Sequence, residues 1–140
     1  MRLRRAMVIG TVVLGAVVFT AVWTGIQSGR WQVVHHQGES ITIPPSWHRD
    51  GGAGAYVETS SRWGLWFLPS FTAKNVPAKA RMLPNVGRNL REWQVQNGRQ
   101  FIYYGVWSLA DHTRSIKICV PRTQVNLALA ILGSWRPRSR

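Results

Sequence analysis

Residues 90–109, LREWQVQNGRQFIYYGVWSL, carry the strongest fold signal in this chain of 140 residues. Asn97 and Gly98 separate two runs that are rich in aromatic and branched side chains. An Asn-Gly pair in this setting is typical of a two-residue type I′ β-turn, because both turn positions need a positive φ. The sequence therefore predicts an antiparallel hairpin, with Trp93 opposite Ile102 in its register.

Apolar side chains are expected on both faces of this hairpin, and residues 63–68 show the same pattern. Strands that are apolar on both faces are covered on both faces. One cover is predicted as a C-terminal helix, with Thr123 as its N-cap and an apolar i, i+3, i+4, i+7 stripe that runs from Val125 to Trp135. The other cover is expected from residues 70–89 or from a partner chain.

Shorter strands complete the predicted sheet, and the first two of them are joined at Gln37-Gly38. They are predicted over residues 31–36, 39–43, 55–59 and 62–68. The predicted fold class is therefore α+β, with a small antiparallel-sheet sandwich and a C-terminal helix. An N-terminal transmembrane helix is expected to precede this domain.

The first 29 residues are the basis for that transmembrane helix. A basic start is followed by an uncharged apolar run over residues 6–26, which as a helix would span about 30 Å. A cleaved signal peptide is the alternative, but the run is longer than the usual apolar region and lacks an A-x-A-like cleavage site. Three arginines precede the run and one follows closely, so the positive-inside rule predicts a cytoplasmic N-terminus and an extracytoplasmic domain over residues 30–140.

The composition is strongly basic, with 18 Lys and Arg residues against five acidic residues and a net charge of +13. Such a domain is expected to attract polyanions or anionic headgroups, although scattered charge also serves solubility. The single cysteine, Cys119, cannot form an intramolecular disulfide. It lies in an apolar run, where a free thiol is typical of a small buried core residue.

No motif indicates an enzyme. Neighbouring His35 and His36 would point to opposite faces of a strand and would not converge on one metal ion. Residues 46–50 contain the residue types of a hydrolytic triad, but they are adjacent in a turn and no nucleophile elbow is present. The pair Asp111 and His112 has the same weakness. We therefore expect no catalytic, cofactor or metal site.

Two short stretches resemble PsbP/Mog1-like domains. Residues 38–47, GESITIPPSW, look like the opening of these domains, where a strand runs into a proline, a turn and a tryptophan. Residues 129–136, LAILGSWR, are similar to the terminal helix of the group. The resemblance implies an α-β-α sandwich with a binding or assembly role. It implies no particular activity, because a shared fold does not fix function.

Two functions fit these observations. The leading hypothesis is a non-enzymatic, membrane-anchored extracytoplasmic domain that binds a protein partner as an accessory of an envelope assembly. The alternative is a module that binds a polyanion such as a wall polymer, an anionic lipid or DNA, although no nucleic-acid-binding motif supports DNA. A surface tryptophan beside arginines can anchor a partner, and a basic stretch attracts anions. The candidate contact residues are Trp47, His48 and Arg49 in one loop, and Lys74, Lys79, Arg81, Arg88 and Arg91 in the basic stretch.

Overall fold

Two antiparallel sheets are present in the computed structural model, which describes residues 30–51, 54–59, 62–84 and 89–137. In chain order the strands are β1 (Gln32–His36), β2 (Glu39–Ile43), β3 (His48–Arg49), β4 (Ala55–Val57), β5 (Gly64–Phe67), β6 (Arg81–Met82), β7 (Leu90–Asn97), β8 (Gln100–Ser108), β9 (Thr113–Pro121) and β10 (Arg136–Pro137). The small sheet has the order β1-β2-β10, and the large sheet has the order β3-β4-β5-β9-β8-β7-β6. An α-helix, α1 (Val125–Gly133), follows β9, and 3₁₀ turns lie at Ala73–Asn75 and Arg122–Gln124.

The predicted hairpin is present as β7 and β8, but its register differs by two residues from the prediction. Asn97 pairs with Gln100, so that the two turn residues are Gly98 and Arg99. Of these two, Gly98 alone has a positive φ (65°), which is the pattern of a type II′ turn. The Arg99 carbonyl in this turn accepts a hydrogen bond from the Arg122 backbone N–H at 2.9 Å. Because the shift is two residues, every side chain stays on its predicted face.

The turn between β1 and β2 has the type I′ pattern. Gln37 and Gly38 both have a positive φ, of 49° and 85°, and they are flanked by the pair His36 and Glu39. Positive φ at both central positions gives a twist that matches the flanking strands. The prediction of two strands joined at Gln37-Gly38 is confirmed.

The hydrophobic core lies between the large sheet on one side and α1 with the small sheet on the other. In the large sheet, β9 contributes the alternate residues Ile116 and Ile118, which are fully buried. Such alternation places successive side chains on opposite faces of the strand. The opposite layer contributes Ala128, Ile131 and Leu132 from α1 and Val34, Ile41 and Ile43 from the small sheet.

Trp135 follows α1 and packs against β8 at Gly105. A Cβ atom added at Gly105 would lie 2.8 Å from Trp135 Cζ3 and 3.3 Å from Leu132 Cδ1. Trp135 is fully buried, so its ring has no free space into which it could move. The absence of a side chain at Gly105 therefore lets the end of α1 approach the large sheet.

The α+β fold-class prediction is wrong in its balance of helix and strand. In the described ranges strands dominate, and α1 is the only α-helix. The described part of residues 70–89 supplies no covering helix: it forms a 3₁₀ turn and the two-residue strand β6, and Pro77 and Pro84 limit any longer helix. The small sheet joins α1 on the core side of the large sheet, and on the other face the ring of Phe71 stacks on Tyr104. The predicted N-cap is also wrong, because Thr123 lies in a 3₁₀ turn and α1 begins after Gln124.

No helix in the described part of the chain is long and apolar enough to cross a membrane. Its one α-helix, α1, has nine residues and is about 14 Å long, roughly half of a bilayer core. This finding corrects the prediction of a single-pass anchor and, with it, the predicted extracytoplasmic location. The predicted span, residues 6–26, lies outside the described residues.

Replacement of Gly105 by alanine tests the close approach of α1. We expect Gly105→Ala to lower the free energy of unfolding by about 1–3 kcal/mol, because the added methyl group overpacks against Trp135. Gly133→Ala is the matched control, since nothing lies within 4 Å of its added Cβ and alanine favours helix. Urea titration followed by far-UV circular dichroism measures the free energy of unfolding of both variants. Equal stability of the two variants would contradict the packing argument.

Candidate functional site

One row of side chains crosses the outer face of the large sheet, the face that points away from the core. Trp66 of β5 pairs with Lys117 of β9, and Lys117 pairs with Tyr104 of β8. Tyr104 pairs in turn with Trp93 of β7, where the sequence predicted Ile102 as the partner of Trp93. Residues directly opposite each other in antiparallel strands share a face. These four residues, Trp66, Lys117, Tyr104 and Trp93, are called the outer row.

Two cations are held over aromatic rings of the outer row. Lys117 Nζ lies 5.0 Å from the ring centroid of Trp66, and Arg91 Cζ lies 5.8 Å from that of Trp93. Such cation–π contacts are worth about 0.5–1 kcal/mol at exposed sites. They restrict long side chains that would otherwise sample many rotamers. Lys117 and Arg91 are therefore positioned on the outer face before any ligand arrives.

A basic segment, residues 71–82, is attached beside the outer row. At its start, Phe71 stacks on Tyr104 with the ring centroids 5.1 Å apart, and the Phe71 carbonyl accepts a hydrogen bond from Ser115 Oγ at 2.6 Å. At its end, β6 pairs with β7 at the sheet edge. Between these attachments the segment carries exposed Lys74 and Lys79. The fold thus adds two more cations at this end of the sheet.

Two carboxylates, in contrast to these cations, are buried and do not lie on the outer face. Glu92 stands between Arg91 and Trp93 on β7, and the strand alternation turns it towards the core side. Glu39 of β2 is buried as well, so two of the five acidic residues are removed from the surface. Within the described ranges, neither Arg91 nor Lys117 has a carboxylate within ion-pair distance. The outer face therefore presents positive charge without local compensation.

The candidate contact residues from the sequence do not come together. Trp47 is only 5% exposed and belongs to the core, where its carbonyl accepts a hydrogen bond from Gln32 Nε2 at 2.7 Å. His48 and Arg49 are exposed in β3, at the opposite edge of the large sheet from β6. The loop containing Trp47 and the basic stretch are therefore separate surfaces.

The basic stretch itself is divided between two faces. Arg81 of β6 pairs with Gln94 on the core side of the sheet, and its Nη2 donates a hydrogen bond to Gln94 Oε1 at 2.7 Å. Arg91 belongs to the outer face. Arg88 lies outside the described residues. Lys74, Lys79 and Arg91 therefore form the candidate site together with Lys117.

Sequence reasoning missed Lys117, Trp66 and Tyr104 as parts of one site. Their grouping depends on the pairing of β5 with β9 and of β9 with β8, and the first of these joins distant parts of the chain. The alternation of residues 113–121 was the available signal. It places Lys117 on the face opposite to Ile116 and Ile118.

A second polar cluster lies in a cleft of about 250 Å³ between the two sheets, lined in part by His36, Glu39 and Arg114. Glu39 Oε1 accepts a hydrogen bond from Trp135 Nε1 at 2.8 Å, and Glu39 Oε2 lies 3.8 Å from Arg114 Nη1. Burial raises the pKa of Glu39, although the Trp135 hydrogen bond and the charges of Arg114 and His112 act in the opposite direction. Glu39 is therefore committed to structural contacts.

His36 in this cleft and the nearby His112 also make contacts within the fold. His36 stacks on Phe67 with the ring centroids 4.3 Å apart, and its pKa is lowered by burial and by the charges of Arg114 and Arg49. His112 Nδ1 contacts Asp111 Oδ1. Among the residues that the structure describes, no group of three or more His, Cys, Asp or Glu could hold a metal ion.

Comparison of the chain with protein-family models and with curated proteins finds no match. The resemblance to PsbP/Mog1-like domains therefore stays a prediction. Fold alone does not fix function, so the chemistry of the surface residues is the evidence for what the protein does.

Replacement of Glu39 tests its structural role. Glu39→Leu should lower the free energy of unfolding by about 1–3 kcal/mol, since the buried indole N–H of Trp135 loses its acceptor. Glu39→Gln keeps an oxygen acceptor at this position and should lower the free energy of unfolding by clearly less than Glu39→Leu does. Guanidinium titration of both variants measures the difference. If the two variants were equally stable, the hydrogen bond from Trp135 would not be what stabilises the fold at this position.

Replacement of Glu92 tests the cost of its burial, which raises the pKa of this carboxyl above 4.5. A raised pKa in the folded state means that the contribution of Glu92 to stability is fully present below the unfolded-state pKa and is lost as the pH rises through the folded-state pKa. We therefore expect Glu92→Gln to raise the melting temperature at neutral pH. The gain should vanish in acid, and thermal unfolding from neutral pH to below pH 4.5 measures it. Asp50→Asn, which removes a carboxylate at an exposed position, is the matched control.

Proposed function

We propose that this domain is a non-enzymatic module that binds a polyanionic polymer on the outer face of its large sheet. The observation that carries the proposal is the pair of cations, Lys117 and Arg91, held over Trp66 and Trp93 on a face without local carboxylates. Lys74 and Lys79 extend the positive charge along the adjacent basic segment. Phosphate or sulfate groups spaced along one chain would meet several of these cations together.

The physical advantage of this arrangement is that the cations are already ordered. A free lysine or arginine loses rotamer freedom when it contacts an anion, and that loss weakens binding. The rings of Trp66 and Trp93 restrict Lys117 and Arg91 in advance. Each contact with the polymer also releases condensed counterions, which makes the affinity large at low salt and steeply dependent on salt.

A protein partner, the leading hypothesis from the sequence, has less support from the geometry. Its proposed anchor, Trp47, is buried, so this loop offers only His48 and Arg49 to a partner. Interface hot spots are enriched in exposed tryptophan, tyrosine and arginine that fill pockets of the partner. An enzyme has still less support, since Glu39, His36 and His112 serve contacts within the fold. The polyanion hypothesis rests on cations that solvent reaches: Arg91, Lys74 and Lys79 are exposed and Lys117 is half-buried.

Salt-dependent binding of the full-length chain to heparin and to duplex DNA tests the proposal. The double variant Arg91→Gln/Lys117→Gln should bind both polymers more weakly than the unaltered chain. For duplex DNA, the slope of log K against log salt should become shallower by about 1.8, or ~0.9 for each lost contact. Fluorescence anisotropy over a series of salt concentrations measures the slope.

The matched control is Arg99→Gln/Arg122→Gln, which removes the same charge from the end of the sheet near the β7–β8 turn. This control should leave the slope close to that of the unaltered chain. Equal losses in the two double variants would mean that only net charge matters, and the proposed face would be wrong. The absence of any retention at low salt would overturn polyanion binding as such.

A further inference from the structure

Strand β7 lines a cavity on its core side, where it faces the C-terminal end of α1. The cavity has a volume of about 390 Å³, within the range of about 300–1,000 Å³ typical of small-molecule sites. Most of its wall is apolar. Leu129 is 42% exposed, so the cavity is open to solvent on the side of α1. The residues that line it are Leu90, Glu92, Trp107, Leu129, Leu132, Gly133 and Arg136.

Glu92 places one carboxylate in this apolar wall. The residue is 6% exposed, and within the described ranges its side chain has neither a hydrogen-bond nor an ion-pair partner. A buried carboxylate is costly unless it is paired or protonated. The packing of β7 alone would be served by an apolar residue at this position. Glu92 is thus an acceptor without a donor, located in the wall of a cavity.

Arg136, the other charged residue of the lining, is engaged elsewhere. Its Nη1 donates hydrogen bonds to the carbonyls of Gly133 and Trp135, at 2.8 Å each. Arg136 is exposed whereas Glu92 is buried, so its guanidinium lies nearer to solvent. A ligand that carries one cationic group could therefore reach Glu92 without displacing Arg136.

We propose that this cavity binds a small organic monoamine, whose apolar body packs against Leu90, Trp107 and Leu132 while its ammonium group donates to the Glu92 carboxylate. The lining accounts for both parts of this ligand. The apolar walls favour an apolar body, and the single buried carboxylate favours a positively charged hydrogen-bond donor. Glu92 is 6% exposed, so an ion pair formed there is screened less by water than one at the surface. A diamine binds less well, because its second charge lies close to Arg136.

The cavity is independent of the polyanion site, although β7 carries residues of both. Glu92 points to the core side of the strand, and Arg91 and Trp93 point to the outer face. The Arg91→Gln/Lys117→Gln variant should therefore bind the amine as the unaltered chain does. Failure of polyanion binding leaves this inference standing, and failure of amine binding leaves the outer face unaffected.

Isothermal titration of the full-length chain with 2-phenylethylamine tests the inference, with 2-phenylethanol as the neutral probe of the same shape. We expect the amine to bind at least about tenfold more tightly than the alcohol. Glu92→Gln should remove this preference, whereas Asp50→Asn removes an exposed carboxylate and should retain it. Thermal unfolding at neutral pH checks that Glu92→Gln is folded.

Leu129→Trp supplies a second test of the location. The larger side chain at the opening should obstruct the cavity and weaken both probes together. Equal affinity for amine and alcohol, or unchanged amine binding in Glu92→Gln, would overturn the role of the carboxylate. No heat from either probe at millimolar concentration would overturn the cavity as a binding site.

Discussion

The indole of Trp135 joins the layers of this fold. Its Nε1 donates to Glu39 of the small sheet, its ring meets Trp107 edge-to-face at a centroid distance of 5.6 Å, and its Cζ3 atom lies against Gly105 of the large sheet. The end of α1 is held in the same place, since Ser134 Oγ accepts a hydrogen bond from the Thr42 backbone N–H at 2.9 Å. One side chain thereby fixes the distance between the sheets, and both cavities described above lie beside it.

The alternation along β7 separates the charges of the domain. Arg91 and Trp93 face outwards, and Glu92 between them faces the core side. A single strand therefore carries cations on one face and a buried carboxylate behind them. This division explains how a domain with few acidic residues has a positive surface and still contains an acidic group in an apolar wall. The two proposed sites follow from the same periodicity of two residues.

The local elements of the fold could be predicted from the sequence, and the long-range ones could not. The strands around Gln37-Gly38 and the hairpin of β7 and β8 were accessible because turn chemistry acts between near neighbours. The predicted hairpin register differs by two residues from the observed one, in which Arg99 lies in the turn and its carbonyl accepts a hydrogen bond from the distant Arg122. The separate small sheet beside α1 depends on how distant strands pack, and no local pattern encodes that.

The candidate site, too, could be predicted from the sequence only where it depends on local patterns. Lys74, Lys79 and Arg91 could be named from charge alone, but their neighbour Lys117 required the strand order of the large sheet. Trp47 illustrates the opposite error, because a tryptophan beside polar residues in a loop can still turn into the core. Burial of a large aromatic residue is decided by the space that other elements leave for it.

The two edge strands of the large sheet affect how readily the protein aggregates at high concentration. Both edge strands, β3 and β6, have only two residues, and each carries an exposed arginine, Arg49 or Arg81. A strand from another molecule would find few backbone groups to pair with and would have to place its chain beside a positive charge. The sheet thus ends in a way that resists growth into fibrils, although its central strands are long and rich in aromatic residues.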